Sequence, residues 1–279
     1  MKYDQFLSSQ YWLRSHQNHK LKTVSKLKHR RNREKLGEFL IEGFRELSRY
    51  LESVESGKLG FATPKWVFFC SEFFVGEREP YILSRLSSLG SELFQVSSSI
   101  FSSLLSYRDS PDGLLAVAKI PNRKLWEWVP DCITRVAVLD RIEKPGNLGA
   151  ILRSGDAAGL QAILLSDPVA DPWNSNAVRS SLGALFTIPV FQDSSYKIHD
   201  WLRSRGYQLI GTKPEVGGHI REIDWSIPAA FLLGSEQLGL SSFWIERADH
   251  LVSIPMLGKI DSLNVSTAAA IFFFAPLIS

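Results

Sequence analysis

Three polar segments of the sequence carry residue types that could do chemistry, and the first runs from Leu139 to Gly159. It contains an amide, Asn147, and a permanent cation, Arg153, after a Pro-Gly dipeptide. An apolar run, a Pro-Gly loop and a periodic segment closed by glycine predict a strand, a turn and a helix, with Asn147 as a candidate N-cap. Because a guanidinium is effectively always protonated, Arg153 indicates anion binding or charge stabilisation rather than proton abstraction. Taken alone, however, an arginine in such a helix is more often a structural residue paired with a carboxylate.

The second and third segments also follow apolar runs. Leu232–Leu240 is a glycine-flanked polar loop that carries Glu236, and glycine lets a backbone approach a ligand closely. Ile254–Ala270 sets an apolar loop before Ser262 and Asn264 at a predicted helix start. A lone Gly-x-Glu-x-x-Gly is a weak signal, and either polar residue of the third segment could simply cap that helix.

The elements around these segments predict a parallel sheet. From residue 133 onward, segments of helical periodicity alternate with apolar runs at Val136–Leu139, Ala162–Leu165, Ile188–Phe191, Gln208–Gly211, Ala230–Leu233 and Leu251–Ile254. Continuous apolar strands separated by helices are typical of α/β folds whose parallel sheet is covered on both faces. Ligands of such sheets bind beyond the carboxyl ends of the strands, which is where all three segments fall.

A smaller α/β domain is predicted over residues 36–120. Its candidate strands are the run ending at Gly43, Trp66–Cys70, Leu93–Val96 and Leu114–Ala118, with helices at Phe44–Val54 and Tyr81–Leu89. Residues 121–130, bounded by prolines, are the predicted linker. This division leaves residues 1–35 as a basic leader and residues 131–279 as the domain that carries the three segments.

The charge distribution indicates a polyanionic partner. Residues 1–50 carry 12 Lys and Arg against 5 Asp and Glu, a net +7, which leaves 20 against 24, a net −4, for the rest. From Arg14 to Lys35 there are nine basic residues and one acid, Glu34. A solvated helix face normally intersperses acids, so this segment favours contact with a nucleic-acid backbone.

Several classes of protein are disfavoured. The two cysteines, Cys70 and Cys132, form no Cys-x-x-Cys pattern and the six histidines are scattered, so no metal site is predicted. The polar start of the chain does not resemble a signal peptide, and the apolar stretch from Ala268 to Ile278 is too short to cross a bilayer. The expected compartment is therefore the cytoplasm.

Together, the three segments resemble the signature motifs of the SpoU/TrmH branch of the SPOUT RNA methyltransferases. The most specific sequences are IPM-x-G from Ile254 and SLNVS from Ser262, and RSSLG from Arg179 is similar to an intervening segment of the family. The resemblance covers roughly residues 131–275. Residues 18–43 resemble the start of a ribosomal-protein-like RNA-binding domain that many members carry.

The resemblance implies features that periodicity alone cannot show: a C-terminal trefoil knot whose loops hold S-adenosylmethionine. The cofactor-binding residues that it implies are Thr212, Lys213, Gly234, Ser235, Ile254, Pro255, Met256 and Leu263. The implied catalytic residues are Arg153, Asn147, Glu236, Ser262 and Asn264. Arg153 is expected to hold the target phosphate and stabilise the developing alkoxide, while the other four position the reactants. The candidate RNA contacts are Lys28, Arg30, Arg31, Arg33 and Arg179.

The predicted reaction is methyl transfer to a ribose 2′-hydroxyl of a structured RNA, with 23S ribosomal RNA favoured over transfer RNA. A homodimer through the C-terminal domain is expected, because the terminal helix Thr267–Ile278 has too few polar positions to face water. Two alternatives stay open: a noncatalytic RNA-binding or ribosome-assembly factor, and a SPOUT enzyme that methylates a base nitrogen. The intact motifs favour the enzyme.

Overall fold

The chain divides into two compact units in the computed structural model. Described here are residues 12–130, 134–213, 218, 220, 223–259 and 262–278; the predicted domain boundary at residue 131 and Cys132 lie outside them. The first unit contains the chain up to Asn122 together with Trp173–Phe186, and the second contains Arg123–Pro172 and the chain from Thr187 onward.

The first unit is built on a five-stranded sheet. Its strands are β1 (Trp12–Leu13), β2 (Glu38–Glu42), β3 (Trp66–Phe69), β4 (Glu92–Val96) and β5 (Leu114–Lys119), in the order β1-β4-β3-β5-β2. β1, β4 and β3 run parallel, and β5 is antiparallel to β2 and β3. Its helices are α1 (His19–Leu27), α2 (Arg30–Leu36), α3 (Phe44–Ser56), α4 (Arg78–Ser88) and the short α5 (Ser98–Ile100), which continues into a π-turn over Phe101–Leu105.

The basic leader folds into β1, α1 and the start of α2. Asn18 caps α1 by accepting a hydrogen bond from Lys20 N at 2.9 Å. Leu21, Val24 and Leu27 recur at helical spacing and are fully buried in the core of the first unit. The lysines between them therefore stand on the opposite, solvated face.

An aromatic cluster in the first unit includes residues from far along the chain. Trp173 packs 4.8 Å from Phe39, and Phe186 lies 5.1 Å from Tyr50 and 5.5 Å from Phe61, measured between ring centroids. Between Trp173 and Phe186 the chain forms α7 (Ser175–Ser180) and a 3-10 turn at Ala184–Phe186. This segment is part of the predicted second domain by sequence, but its aromatic side chains are buried in the first unit.

The second unit is a six-stranded, wholly parallel sheet. Its strands are β6 (Arg135–Asp140), β7 (Ala162–Ser166), β8 (Val190–Asp193), β9 (Gln208–Thr212), β10 (Ala229–Leu233) and β11 (His250–Val252), in the order β11-β9-β10-β6-β7-β8. Its helices are α6 (Pro145–Ala157), α8 (Ser195–Arg203), α9 (Ser242–Ile245) and α10 (Val265–Ile278). β8 lies two residues later than predicted and β11 is shorter, because the apolar run used to place each of them extends into a loop.

Both faces of this sheet are covered, as the apolar strands predict. Val136, Val138 and Leu232 join a core with Trp201 of α8 and Trp244 of α9. On the other face α10 packs against α6 and β10, where Phe273 lies 5.5 Å from Phe231. Successive residues of a strand point to opposite faces of the sheet, so a continuous apolar run packs against the helices on both faces.

The predicted linker is packed rather than free. Leu125, in a 3-10 turn at Leu125–Glu127, is buried in the core of the second unit. Trp128 stacks on Trp201 with 5.4 Å between ring centroids and an angle of 15°. Residues 123–130 therefore belong to the second unit.

Candidate active site

A cavity of about 880 Å³ opens at the carboxyl ends of the neighbouring strands β11, β9 and β10 in the second unit. Many of the predicted site residues line it: Thr212, Lys213, Gly234, Ser235, Glu236, Ile254, Pro255, Met256, Ser262, Leu263 and Asn264. Three loops that are distant in sequence therefore meet at one place. Parallel strands bring their following loops to the same edge, which is why strand-end motifs converge.

The loop after β10 is a closed backbone turn. Ser235 N donates to Gly239 O at 3.1 Å and Gly239 N donates to Ser235 O at 3.0 Å. A Cβ on Gly234 would collide with the backbone of Gly239 and Leu240. The glycine at 234 is therefore required by the close approach of the loop to itself, and its predicted contact with the cofactor stays a prediction.

A hydrogen-bonded chain of side chains connects the three motifs. Asn147 Nδ2 donates to Glu236 Oε1 at 2.7 Å, and Asn264 Nδ2 donates to Asn147 Oδ1 at 3.3 Å. The predicted N-cap role of Asn147 is wrong: α6 begins at Pro145 with Lys144 as its N-cap, and Asn147 is the third helical residue. The helix starts at Pro145, earlier in the chain than predicted, because the fixed φ of proline suits the first helical position.

Glu236 is held as a carboxylate. Its Oε2 accepts from Glu143 N at 3.3 Å. Partial burial acts to raise the pKa of Glu236, but hydrogen bonds from the Asn147 side chain and from the backbone amides of Glu236, Glu143 and Lys144 outweigh it and lower the pKa. A carboxylate that caps the amino-terminal end of α6 in this way positions groups and is a poor proton acceptor at neutral pH.

Asn264 also caps a helix, as one reading of its sequence position predicted. Its Oδ1 accepts from Ser266 N at 2.9 Å, and its carbonyl accepts from Ala268 N at 3.0 Å at the start of α10. Capping and the contact with Asn147 use different atoms. The cap therefore fixes the orientation in which the Asn264 amide meets the site.

Arg153 lies apart from the cavity. It is exposed on α6 and is not among the residues that line the cavity. At about 100° per residue, the six positions from Asn147 to Arg153 turn the side chain to a different face of the helix. One protomer therefore brings together the Asn147, Glu236 and Asn264 side chains without Arg153.

Further lining residues were not singled out from the sequence. Lys144 directly precedes Pro145, the first residue of α6, and is exposed at the cavity. Its position within the first motif was a usable signal. The apolar lining residues include Leu240, Ile245 and Phe272, and nothing in their sequence context distinguishes them from core.

The predicted RNA-contacting residues of the leader differ in exposure. Arg31 is exposed, and Arg30 is exposed but paired with Glu34 at 2.7 Å. Arg33 is only 2% exposed and donates to Leu27 O and Lys28 O at 2.8 and 3.0 Å, so its assignment as a phosphate contact is corrected. The chain turns between α1 and α2, and this guanidinium satisfies the carbonyls that end α1.

Lys28 and Arg179 occupy different environments. Lys28 Nζ donates to Ser106 O at 3.3 Å, and burial lowers the pKa of this lysine in spite of the nearby Glu42 carboxylate. Arg179 is exposed on α7 in the first unit. Of these two, Arg179 has the side chain that is open to a polyanion.

The described ranges contain neither a metal-ligand cluster nor a membrane-spanning helix. No three His, Cys, Asp or Glu side chains there are grouped as metal ligands. No helix in the same part of the chain is long and apolar enough to span a bilayer.

The chain belongs to the SpoU rRNA methylase family, whose profile matches residues 134–274, and residues 18–116 match the MRM3-like substrate-binding domain. It is 32% identical to the 23S rRNA (guanosine(2553)-2′-O)-methyltransferase RlmP of Bacillus subtilis, over 94% of this chain and 97% of that one. It is 31% identical to a 23S rRNA (uridine(2479)-2′-O)-methyltransferase of Streptomyces viridochromogenes, over 89% and 85%. An AdoMet-bound rRNA methyltransferase from Sinorhizobium meliloti has a similar structure, with a TM-score of 0.83 at 27% identity over 94% of this chain and 95% of that one.

The cavity fits S-adenosylmethionine, the cofactor of this family. Its volume is in the range of small-molecule sites, and it combines apolar side chains with a few polar groups. Ile254, Ile245 and Leu240 offer apolar surface for an adenine ring, and Lys213 offers a cation for a carboxylate.

Proposed function

We propose that this protein transfers a methyl group from S-adenosylmethionine to a ribose 2′-hydroxyl of 23S ribosomal RNA. The observation that carries the proposal is the hydrogen-bonded chain from Glu236 through Asn147 to Asn264 at the edge of a cofactor-sized cavity. All three motifs of the family contribute to it. A noncatalytic RNA-binding protein has no need to keep such an arrangement.

The chain's own residues hold and orient the reactants. When bound, S-adenosylmethionine supplies an electrophilic methyl carbon beside the ribose hydroxyl. The Asn264 residue lines the cavity and its amide is hydrogen-bonded to Asn147, so this pair can orient that hydroxyl and its nucleotide. Both Glu236 oxygens are engaged in holding Asn147 and the Glu143 amide, so Glu236 positions the site, and we propose that loss of the hydroxyl proton is assisted by the substrate phosphate held by Arg153.

Arg153 reaches the site in this proposal from a second copy of the chain. α6 and α10 pack together, and their side of the sheet leaves apolar side chains exposed at the carboxyl-terminal helix, Ile271 at 43% and Leu277 at 52%. Phe272 and Phe273 are already buried within the protomer, so a homodimer would cover the remaining apolar surface. A dimer through this layer would place an Arg153 beside the partner's cavity.

Subunit complementation tests this arrangement. Arg153→Ala and Glu236→Ala variants with different tags are expressed singly and together. Each alone should be nearly inactive, whereas heterodimers hold one intact composite site, so random pairing should restore about a quarter of the wild-type turnover. No recovery in purified heterodimers would contradict a shared site.

Three further parts of the proposal depend on family membership. We infer the trefoil knot, in agreement with three loops that meet around one cavity. We propose that the exposed cations of the first unit, among them Lys22, Lys26, Arg31 and Arg179, contact RNA phosphates. The cytoplasm, where ribosomal RNA is present, is the proposed compartment.

The test of the reaction is the chemical identity of the product. Purified protein, labelled S-adenosylmethionine and unmodified 23S rRNA are incubated, and the RNA is digested to nucleosides for mass spectrometry. The proposal predicts label in a 2′-O-methylnucleoside. Label in a base indicates the nitrogen-methylating alternative, and no label with retained RNA binding indicates the noncatalytic one. The target nucleotide has to be mapped directly, because the two relatives methylate a guanosine and a uridine at similar identity to this chain.

A further inference from the structure

Lys144 is a cation that lines the active-site cavity and has no role in the site as described so far. It lies at the amino-terminal end of α6, three residues before Asn147, and it is an exposed residue that lines the cavity. No hydrogen bond or ion pair engages its ammonium within the part of the chain that the structure describes. A long charged side chain is thus left available at the place where substrate and cofactor meet.

The charges of the cavity indicate what this cation binds. Among the lining residues that the structure describes, Lys144 and Lys213 are the cations and Glu236 is the acid. The Glu236 carboxylate is already engaged by Asn147 and by the amide of Glu143. S-adenosylmethionine carries a sulfonium, an ammonium and a carboxylate, and is itself a net cation. The described charges of the cavity, together with a positive cofactor, favour an anion from the second substrate.

The positions of the two lysines assign them different partners. Lys213 follows β9, and its backbone N donates to Val252 O at 3.0 Å, which places it among the loops of the cofactor end. Lys144 precedes Asn147 by three residues at the amino-terminal end of α6 and lines the same cavity as Asn264, the hydrogen-bond partner of Asn147, so we place it at the end where the ribose is proposed to lie. Each nucleotide brings its phosphate within a few bonds of its ribose hydroxyl.

We propose that Lys144 is a positioning residue that binds an RNA phosphate next to the target ribose and so holds the 2′-hydroxyl against the Asn147–Asn264 pair. The inference rests on the proposed ribose methylation. Lys144 acts within the protomer that holds the cofactor, whereas Arg153 is proposed to come from the partner. The nucleotide would then be held from both sides by cations that belong to different chains.

The test measures kcat/KM for 23S rRNA against potassium chloride concentration, together with the affinity for S-adenosylmethionine by calorimetry. Lys144→Gln should lower kcat/KM roughly tenfold at moderate salt, as expected for a lost hydrogen bond between charged groups. The slope of log kcat/KM against log salt should become shallower by about 1, since one fewer phosphate is neutralised. Cofactor affinity should stay within about twofold of wild type, which also shows that the variant is folded.

Matched variants make the result specific. Lys144→Arg should restore the slope, because it restores the charge. Lys197→Gln removes the same charge from an exposed lysine of α8 that is paired with Asp193, and it should leave both quantities unchanged. The inference is overturned if Lys144→Gln keeps the wild-type slope, if it weakens cofactor binding as much as Lys213→Gln does, or if Lys197→Gln has the same effect on the slope. If wild-type protein makes no 2′-O-methylnucleoside, the proposed function fails instead.

Discussion

At the scale of single residues, the site depends on Asn147 being an amide. Its Nδ2 donates to Glu236 while its Oδ1 accepts from Asn264. A carboxylate can only accept, and an apolar side chain can do neither. An amide is therefore required here, because the side chain must donate one hydrogen bond and accept another.

Asn147→Asp should make turnover dependent on an acidic group. The introduced carboxylate faces Glu236 at the 2.7 Å separation of the present hydrogen bond, and two such carboxylates cannot both ionise without strong repulsion. At neutral pH we expect about a hundredfold loss of kcat, the order of effect of a misplaced reactant. As pH falls and the pair takes up one proton, the contact re-forms and part of the relative activity returns. The measurement is the pH profile of Asn147→Asp beside Asn147→Ala, which should show no such return, and identical profiles would contradict the assignment.

Glu236→Gln should show a pH-dependent loss of stability. The pKa of Glu236 is lowered in the folded state, so its ionised form stabilises the fold above the ordinary carboxyl range, and this contribution disappears as pH falls through the lowered value. The difference in Tm between wild type and variant should be largest near pH 7 and should shrink below about pH 4. Glu246→Gln, at a side chain that is 70% exposed, is the control. A difference for Glu236→Gln that is constant over pH would count against the lowered pKa.

Sequence motifs identified these residues, but their geometry required the fold. Asn147 reads as an N-cap because Ser, Thr, Asp and Asn before a periodic run usually are, and the decisive competitor was Pro145 two residues earlier. Gly234 was singled out as a ligand contact, and the structure adds a second constraint, because a side chain there would collide with the backbone of its own loop. The backbone that a glycine faces is determined by the folded loop, and the local sequence does not predict it.

At the scale of elements, the basic leader combines two functions. α1 and α2 bury Leu21, Val24, Leu27 and Arg33, while the remaining basic side chains stand mostly in solvent. Its charge was visible from composition. Apolar periodicity does not predict α2, because this helix has a single buried position and that position is occupied by an arginine.

Two neighbouring arginines of α2 provide a matched pair. Arg33→Gln leaves buried carbonyls of Leu27 and Lys28 without their donor and should lower the free energy of unfolding by about 1–3 kcal/mol. Arg31→Gln removes the same charge from an exposed position, so it should change stability by less than about 0.5 kcal/mol and weaken RNA binding instead. Urea unfolding and RNA affinity at fixed salt measure the two effects. Equal losses of stability would show that burial of Arg33 does not matter.

The two tryptophans of residues 123–130 offer a second pair. Trp128 stacks on Trp201 and also lies 5.4 Å from Phe191, whereas Trp126 is 51% exposed. Trp128→Ala should destabilise the second unit by about 1–3 kcal/mol, and Trp126→Ala by clearly less. Unfolding of the full chain followed by near-ultraviolet circular dichroism checks this. Similar losses for both would indicate a segment that is only loosely attached.

At the scale of the whole molecule, apolar periodicity was sufficient for the fold class and for most strands. It could not predict β1, which has only two residues, or the placement of Trp173–Phe186 in the first unit. That placement depends on aromatic partners more than a hundred residues away, such as Phe39 and Phe61. Long-range packing of this kind leaves no local pattern in the sequence.

The most direct test of the central claim maps ribose methylation across 23S rRNA from cells with and without this gene. A 2′-O-methyl group blocks attack of the ribose oxygen on the neighbouring phosphodiester, so a methylated position resists alkaline cleavage. The account predicts one protected position that is lost on deletion, restored by the wild-type gene and not restored by Asn147→Ala expressed at the same level. An unchanged protection pattern after deletion, or full restoration by Asn147→Ala, would contradict it.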